Sequence, residues 1–322
     1  MNKNNFFEQI ISLENLFSAW EEFLCGKKKR KDVAEFSMKL SENVFSLHED
    51  LLNKTYVHGP YHAFNISDPK PRSIHKATVR DRLLHHAIYR ILYPYFDKKF
   101  IYDSYSCRNL KGTHRALDRF THFSRKVSEN NTKTVWVLKC DVRKFFASID
   151  HAVLLNTLKS FDLGRDTLRL LHRVIISFNS GVSGKGLPLG NLTSQLLVNV
   201  YMDWFDQYMK HRIGAKYYIR YADDFVVMSV DKIELENMLL QIGFFLKDNL
   251  ELHLHPNKVF IKTVASGLDF LGWVHFPHHR VLRTVTKRRM FNKLKNNASP
   301  KILASYKGML KWGNTYKIQN MI

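Results

Sequence analysis

The chain has 322 residues, 45% of them hydrophobic, which suffices for a large core in one or two compact units. Its 50 Lys and Arg against 29 Asp and Glu leave a formal net charge of +21; nucleic acid is the first candidate partner, with a membrane surface or a basic solubilising exterior as the bland alternatives. Cys25, Cys107 and Cys140 lack metal-ligand spacing and cannot all pair, the first residues lack a signal-peptide core, and no segment is long enough to span a bilayer; a reducing, cytoplasmic setting without a membrane partner is expected.

In chain order, Ile10, Leu13, Phe17, Trp20 and Leu24 recur at helical spacing and predict a helix over 6–24. Gly26 ends it, and the run Lys27 to Lys31 follows, either a solvated loop or an RNA-backbone contact. A second helix is predicted over 34–52, then a turn-rich stretch with Gly59, Pro60, Pro69 and Pro71, then helices over 81–100 and 113–128. Val135 to Cys140 reads as a strand, and 152–160 and 166–178 as helices. Gly181, Gly184, Gly186, Pro188 and Gly190 mark a loop that opens a helix from Leu192 to about His211. Tyr217 to Val230 predicts a hairpin turning at Ala222-Asp223-Asp224. A helix over 234–250, strands near 258–263 and 269–276, and a basic, partly helical end over 286–322 complete the chain. Without a regular βαβ rhythm, the mixture predicts an α+β fold.

Asp141 closes the apolar run beside Phe145 and Phe146. A carboxylate there is costly unless it binds something, although a helix N-cap would also place an Asp at this point. Asp223 and Asp224 sit where two apolar strands meet. Asp is ordinary in turns, but tight hairpins favour Asn-Gly or Asp-Gly, and two adjacent like charges repel unless a cation relieves them. Mg²⁺ takes oxygen ligands, and two such ions about 3.5–4 Å apart clamp the attacking and leaving oxygens of phosphoryl transfer. If the two strands are neighbours, three carboxylates converge. The scattered His253, His255, His278 and His279 have no cysteine partners for zinc.

Three segments in order resemble reverse transcriptases: Leu138-Lys139-Cys140-Asp141-Val142-Arg143-Lys144-Phe145-Phe146, then Gly186-Leu187-Pro188-Leu189-Gly190-Asn191-Leu192-Thr193-Ser194-Gln195, then Tyr221-Ala222-Asp223-Asp224. Gln195, where group II intron enzymes usually have Pro, is similar to reverse transcriptases of diversity-generating retroelements. So are Asp103-Ser104-Tyr105-Ser106-Cys107-Arg108, Lys111-Gly112-Thr113-His114, Ser305-Tyr306-Lys307-Gly308, and Glu14-Asn15-Leu16 with Gly26 and its basic run. The resemblance implies a right hand with an N-terminal helical and basic segment over 1–55, fingers and palm over 56–280, and a short basic thumb over 281–322. From its end at Ile322, the chain is expected to lack the maturase or endonuclease extensions of many intron enzymes.

By the same resemblance, Asp141, Asp223 and Asp224 are the catalytic, metal-holding carboxylates for two Mg²⁺ ions, with Mn²⁺ as a substitute. Phe146 is the steric gate against a 2′-hydroxyl, and ordinary core packing is its bland alternative. Lys70 and Arg72 grip the triphosphate, unless they are solvated loop cations. Gln195 lies near the templating pair, or merely caps a helix. Lys258 in Leu254-His255-Pro256-Asn257-Lys258 stands near the pyrophosphate as a general acid, and Leu268-Asp269-Phe270-Leu271-Gly272-Trp273 is the primer grip. Asp81 in Arg80-Asp81-Arg82 is expected to be a structural ion-pair partner. The implied reaction is RNA-directed DNA synthesis on a template RNA, with a DNA or RNA primer and dNTPs. In the retroelement type the template is a repeat RNA, a small basic accessory protein assists, and errors fall opposite adenine. The rivals are a phage-defence or group II intron-like reverse transcriptase and a non-catalytic RNA-binding relative.

Overall fold

The computed structural model describes residues 5–67, 71–296 and 298–322; Lys70 lies outside the described residues. In chain order the elements are α1 (Phe6–Ile11), α2 (Leu13–Leu24), α3 (Lys31–Met38), α4 (Leu40–Leu52), β1 (His62–Ile66), β2 (Arg72–Lys76), α5 (Val79–Asp97) and α6 (Thr113–Val127). There follow β3 (Trp136–Asp141), α7 (Phe145–Ser148), α8 (His151–Lys159), α9 (Arg165–Ile176), α10 (Leu192–His211), β4 (Tyr218–Tyr221), β5 (Asp224–Ser229) and α11 (Lys232–Leu250). The chain closes with β6 (Phe260–Thr263), β7 (Leu268–Phe270), β8 (Trp273–His275), β9 (Arg280–Leu282), α12 (Thr284–Asn296), α13 (Pro300–Leu310) and α14 (Tyr316–Gln319). Among the described residues, no helix is long and apolar enough to cross a membrane.

Several predicted elements divide for local reasons. The helix expected over 6–24 breaks at Ser12, whose hydroxyl accepts from the Asn15 amide at 3.2 Å and so starts α2 as an N-cap. The helix expected over 34–52 breaks at Lys39, where φ is −121°. The turn-rich stretch after Gly59 holds the antiparallel hairpin β1–β2, in register from His62↔Lys76 to Ile66↔Arg72. The strand expected over 269–276 is a hairpin, because Leu271 and Gly272 both take left-handed φ values of +50° and +88°.

Two compact units result: Met1–Ile101 with Arg143–Tyr208 and Phe245–His253, and Tyr102–Val142 with Met209–Phe244 and Leu254–Ile322. In the first, α2 packs along α5, burying Leu16, Ala19, Trp20 and Phe23 with Leu83, Leu84, Ala87 and Ile88. Asp150 caps α8, accepting from the amides of Ala152 and Val153 at 2.9 and 3.0 Å. Gly186 has φ +102°, and a Cβ there would lie 2.5 Å from the Ser180 Cβ, so the loop before α10 needs glycine. The second unit is built on the antiparallel sheet β4-β5-β3-β6 and the smaller sheet β7-β8-β9. Val137, Ile219, Val226 and Met228 from the larger sheet bury themselves with Ala116, Phe120, Phe123 and Val127 of α6.

Candidate active site

The apolar run before Asp141 forms β3, and Asp141 is its last residue, so it is a strand-end carboxylate and not a helix cap. Asp224 opens β5 and is the direct cross-strand partner of Asp141; side chains of directly opposed residues share a face. Asp223 lies in the β4–β5 turn after Ala222, whose φ is +57°, and its carbonyl accepts from the Val142 amide at 3.1 Å. The strand adjacency that the sequence left open is therefore met: all three carboxylates gather at one end of the sheet.

Side chains two apart on a strand share a face. Lys139 therefore lies on the face of Asp141, and its ammonium reaches Asp224 Oδ2 at 3.2 Å. Lys139 is 9% exposed, so this is an ion pair removed from bulk water. Its position two residues before Asp141 was the signal in the sequence, and the sequence reading passed over it. Lys258 comes from the turn before β6 and donates to Asp141 Oδ1 at 2.8 Å. That turn is held by the His255 amide donating to the Asp141 carbonyl at 2.7 Å.

Asp224 Oδ1 is buried and has no hydrogen-bond partner. Burial, opposed by Lys139 and reinforced by the charges of Asp223 and Asp141, pushes the Asp224 carboxyl up to about 6. A buried acceptor without a donor costs on the order of 1–3 kcal/mol. Among the described residues, no three His, Cys, Asp or Glu side chains form a ready-made metal cage. The donor set nevertheless fits Mg²⁺, which binds through one or two carboxylates plus substrate phosphates in preference to an all-protein cage. Two ammonium groups now hold two of the carboxylates.

The other expected residues lie in the first unit. Phe145 is 3% exposed and is core; Phe146 is only half-buried, with its ring edge-on to Phe145 at 5.6 Å and its carbonyl accepting from Leu187. Lys144, at φ +46°, turns the chain between Asp141 and α7. Arg72 is exposed at the start of β2. Gln195, in the first turn of α10, lines a cavity of about 370 Å³ with Lys27, Arg30, Lys76 and Arg82. Two members of the Lys27 to Lys31 run thus face a cavity, and Lys27 has its ammonium pKa lowered by burial and by Arg30 and Arg82. Asp81 is structural, but its partners are not the flanking arginines: Arg80 pairs with Asp50 and Arg82 with Asp32.

Two strand-end carboxylates in register, a third in the β4–β5 turn and a loop lysine thus gather at one end of the sheet. A family model described as reverse transcriptase (RNA-dependent DNA polymerase) matches residues 66–275, well over half of the chain. The chain belongs to that family. It is 24% identical over 296 residues to Protein YkfC of Escherichia coli (strain K12), covering 80% of this chain and 75% of that protein. It is 22% identical over 199 residues to the putative COX1/OXI3 intron 2 protein of Saccharomyces cerevisiae, covering 43% of this chain and 23% of that protein. Among solved structures, apo telomerase from Candida tropicalis, truncated from its C-terminal domain, aligns with TM-score 0.53 at 11% identity, over 73% of this chain and 59% of that one. Telomerase from Candida albicans, in complex with a fragment of telomeric RNA, aligns with TM-score 0.54 at 10% identity, over 79% of this chain and 53% of that one. The chain thus has the α+β right-hand polymerase fold expected from its sequence, and it spans little more than half of these telomerase chains.

Proposed function

We propose that the chain copies a template RNA into cDNA, adding deoxynucleotides to the 3′-hydroxyl of a DNA or RNA primer, with Asp141, Asp223 and Asp224 as ligands of two Mg²⁺ ions. The observation that carries this is the Asp141↔Asp224 register together with the buried, partnerless Asp224 Oδ1. When bound, such ions supply charge to the attacking and leaving oxygens. The protein's part is positional. Lys139 fixes one oxygen of Asp224 and leaves the other for a cation. Lys258 balances the charge of Asp141, and from there its ammonium would be placed to give a proton to the leaving pyrophosphate and to regain one from solvent afterwards. Phe146 walls the sugar, Lys70 and Arg72 grip the triphosphate, and Gln195 attends the templating pair. Residues 1–55 serve as an N-terminal basic segment, 56–280 as fingers and palm, and 281–322 as a short thumb.

Gln195 and the Asp103 to Arg108 segment support the diversity-generating retroelement type, with a repeat-RNA template, a small basic accessory protein and errors opposite adenine. The yeast relatives, which are intron proteins, favour a second reading as an intron-type enzyme. Primer extension with Mg²⁺ tests the first claim: Asp223→Asn should fall by at least roughly 10³-fold while keeping RNA affinity. Near-normal synthesis by that variant would remove the proposal. Sequencing of the cDNA separates the types, since errors confined to template adenines support the retroelement and an even spectrum supports the intron enzyme.

A further inference from the structure

The outward face of α6 carries Asp118, Thr121, His122 and Arg125 at spacings of three and four, while its inward face is buried in the core. That outward face is one wall of a cavity of about 570 Å³ in the second unit. The turn from Phe276 to Arg280 forms the second wall, and the segment from Lys311 to Asn314, between α13 and α14, forms the third. None of the catalytic carboxylates, Lys139 or Lys258 lines it.

The charge of this cavity is lopsided. Arg125, Arg280 and Lys311 bring two guanidinium groups and an ammonium, and His122, His278 and His279 add three imidazoles. Asp118 is the one carboxylate in the lining, and it already accepts from Arg280 Nη2 at 3.1 Å. Arg280 Nε donates to the Trp312 carbonyl, and Arg280 Nη1 is buried with no partner. Held in place by two of its three nitrogens, the guanidinium gives the cavity wall a fixed positive charge. Two aromatic rings stand among the cations: Trp312, stacked on His114 at 4.0 Å, and Phe276, stacked on His279 at 4.9 Å. The third wall packs directly on the core, since a Cβ on Gly313 would meet the Trp273 ring at 2.1 Å.

We infer that this cavity is a second nucleic-acid site, which takes a phosphate and a base of a single-stranded segment apart from the catalytic centre. Cations alone would serve any polyanion. The interleaved Trp312 and Phe276 select a nucleic acid, since every base offers a π-face for stacking beside a backbone phosphate. The volume admits a nucleotide, as small-ligand sites of roughly 300–1,000 Å³ do. The inference rests on the reverse-transcriptase reading only in preferring nucleic acid to an acidic peptide.

The test uses the full chain without divalent cations and a fluorescein-labelled oligouridine of about ten nucleotides. Arg125→Glu with Lys311→Glu should weaken binding at least tenfold. Arg125→Gln with Lys311→Gln, which only removes charge, should lower the salt slope of log affinity by about 1.4, or roughly 0.7 per lost contact. Oligouridine carrying 4-thiouridine should cross-link to the peptide containing Trp312. Extension of a saturating, preannealed primer–template should be unchanged in both variants. Unaltered affinity and slope, or cross-links confined to other peptides, would overturn the site. Equal competition by polyglutamate would overturn its specificity for nucleic acid. Loss of extension along with oligouridine binding would show that these residues belong to the primer–template path, and would overturn the separateness of the site. Catalytic failure of the parent chain would strike the function proposed above and leave the binding comparison readable.

Discussion

Asp81 and Asp224 are both aspartates withdrawn from water, one in each unit, and they are kept in opposite ways. Asp81 is 1% exposed and surrounded by donors: the Tyr56 hydroxyl at 2.7 Å, the Thr78 hydroxyl at 2.5 Å and the Gly59 amide at 3.1 Å. His58 stands 3.8 Å away. Burial and the Asp81 charge push the Tyr56 phenol far up, so it remains a donor at every working pH. Asp224 has Lys139 on one oxygen and nothing on the other, and its carboxyl is pushed up to about 6. A carboxylate that holds a fold together is saturated by the fold; one left short of donors is held for something that arrives later.

The largest effect expected from this contrast is on catalysis. Asp224→Asn should reduce Mg²⁺-dependent extension by roughly 10²–10³-fold, because an amide oxygen is a poor substitute for a carboxylate on a hard cation. Asp81→Asn should leave the rate constant of the folded protein nearly unchanged. Its cost is structural, since an amide group faces donors where it needs acceptors. A loss of about 2–4 kcal/mol in denaturant unfolding is expected. If Asp81→Asn proved catalytically dead but fully stable, the contrast would collapse.

The stability of Asp224→Asn sharpens the comparison with the opposite sign. The folded pKa of Asp224 lies above its usual 3.8, at about 6. Between those values the folded chain binds more protons than the unfolded one, so stability contributed here falls as pH rises through the window and stays low above it. Asn cannot ionise and removes that penalty. Without divalent cations at pH 7, Asp224→Asn should therefore be more stable than the parent by on the order of 1–3 kcal/mol, and the difference should shrink as pH falls from about 6 towards 4 and be nearly gone below that. An equally large gain at pH 3 would show that ionisation is not its cause. Added Mg²⁺ should stabilise the parent and not the variant.

How much of this was readable in advance follows from range. The β4–β5 hairpin, β3 and the loop before α10 are local patterns, and their positions agree with the sequence reading to within a few residues. The strand adjacency that joins Asp141 to Asp224 was not readable from spacing and entered only through the resemblance to known enzymes. Lys139 was readable by alternation alone. The partners of Asp81 were not, because Tyr56 and Gly59 reach it from 25 and 22 residues earlier. Likewise Asn15, in a segment noted only for its resemblance, is buried and donates to the carbonyls of Ile10 and Ala87 at 3.0 and 3.2 Å, tying α2 to α5. The β1–β2 hairpin was hidden by the Gly and Pro residues around it, which mark turns and mask the short strands between them.

Phe146 and Phe145 repeat the contrast on a smaller scale, as one aromatic spent on the core and its neighbour half-buried. Phe146→Ala should raise the ratio of ribo- to deoxynucleotide incorporation by about tenfold or more, the direction expected when a wall of roughly 1.4 kcal/mol is removed. The same truncation at Phe145 should instead lower stability, by about 3–5 kcal/mol, without altering selectivity. An unchanged ratio in Phe146→Ala would reduce that ring to packing.

The smallest expected effect concerns charges at the basic end of the chain. Lys287 and Arg288 are exposed on α12, and Arg289 is half-buried beside them. With a net charge of +21, the surface can hold cations that only solubilise it. If these three instead contact a nucleic-acid backbone, each releases counterions on binding, and log affinity should fall with log salt by roughly 0.7 per contact on a single strand. Reversing all three should flatten the slope by about 2, weaken binding most at low salt, and leave the rate of a saturated complex unchanged. The effect should add to that of Arg125 and Lys311, because separate contact sites contribute independently to the slope. A slope identical to the parent's would assign these charges to solubility, and the basic end of the chain would then lie off the path of the nucleic acid.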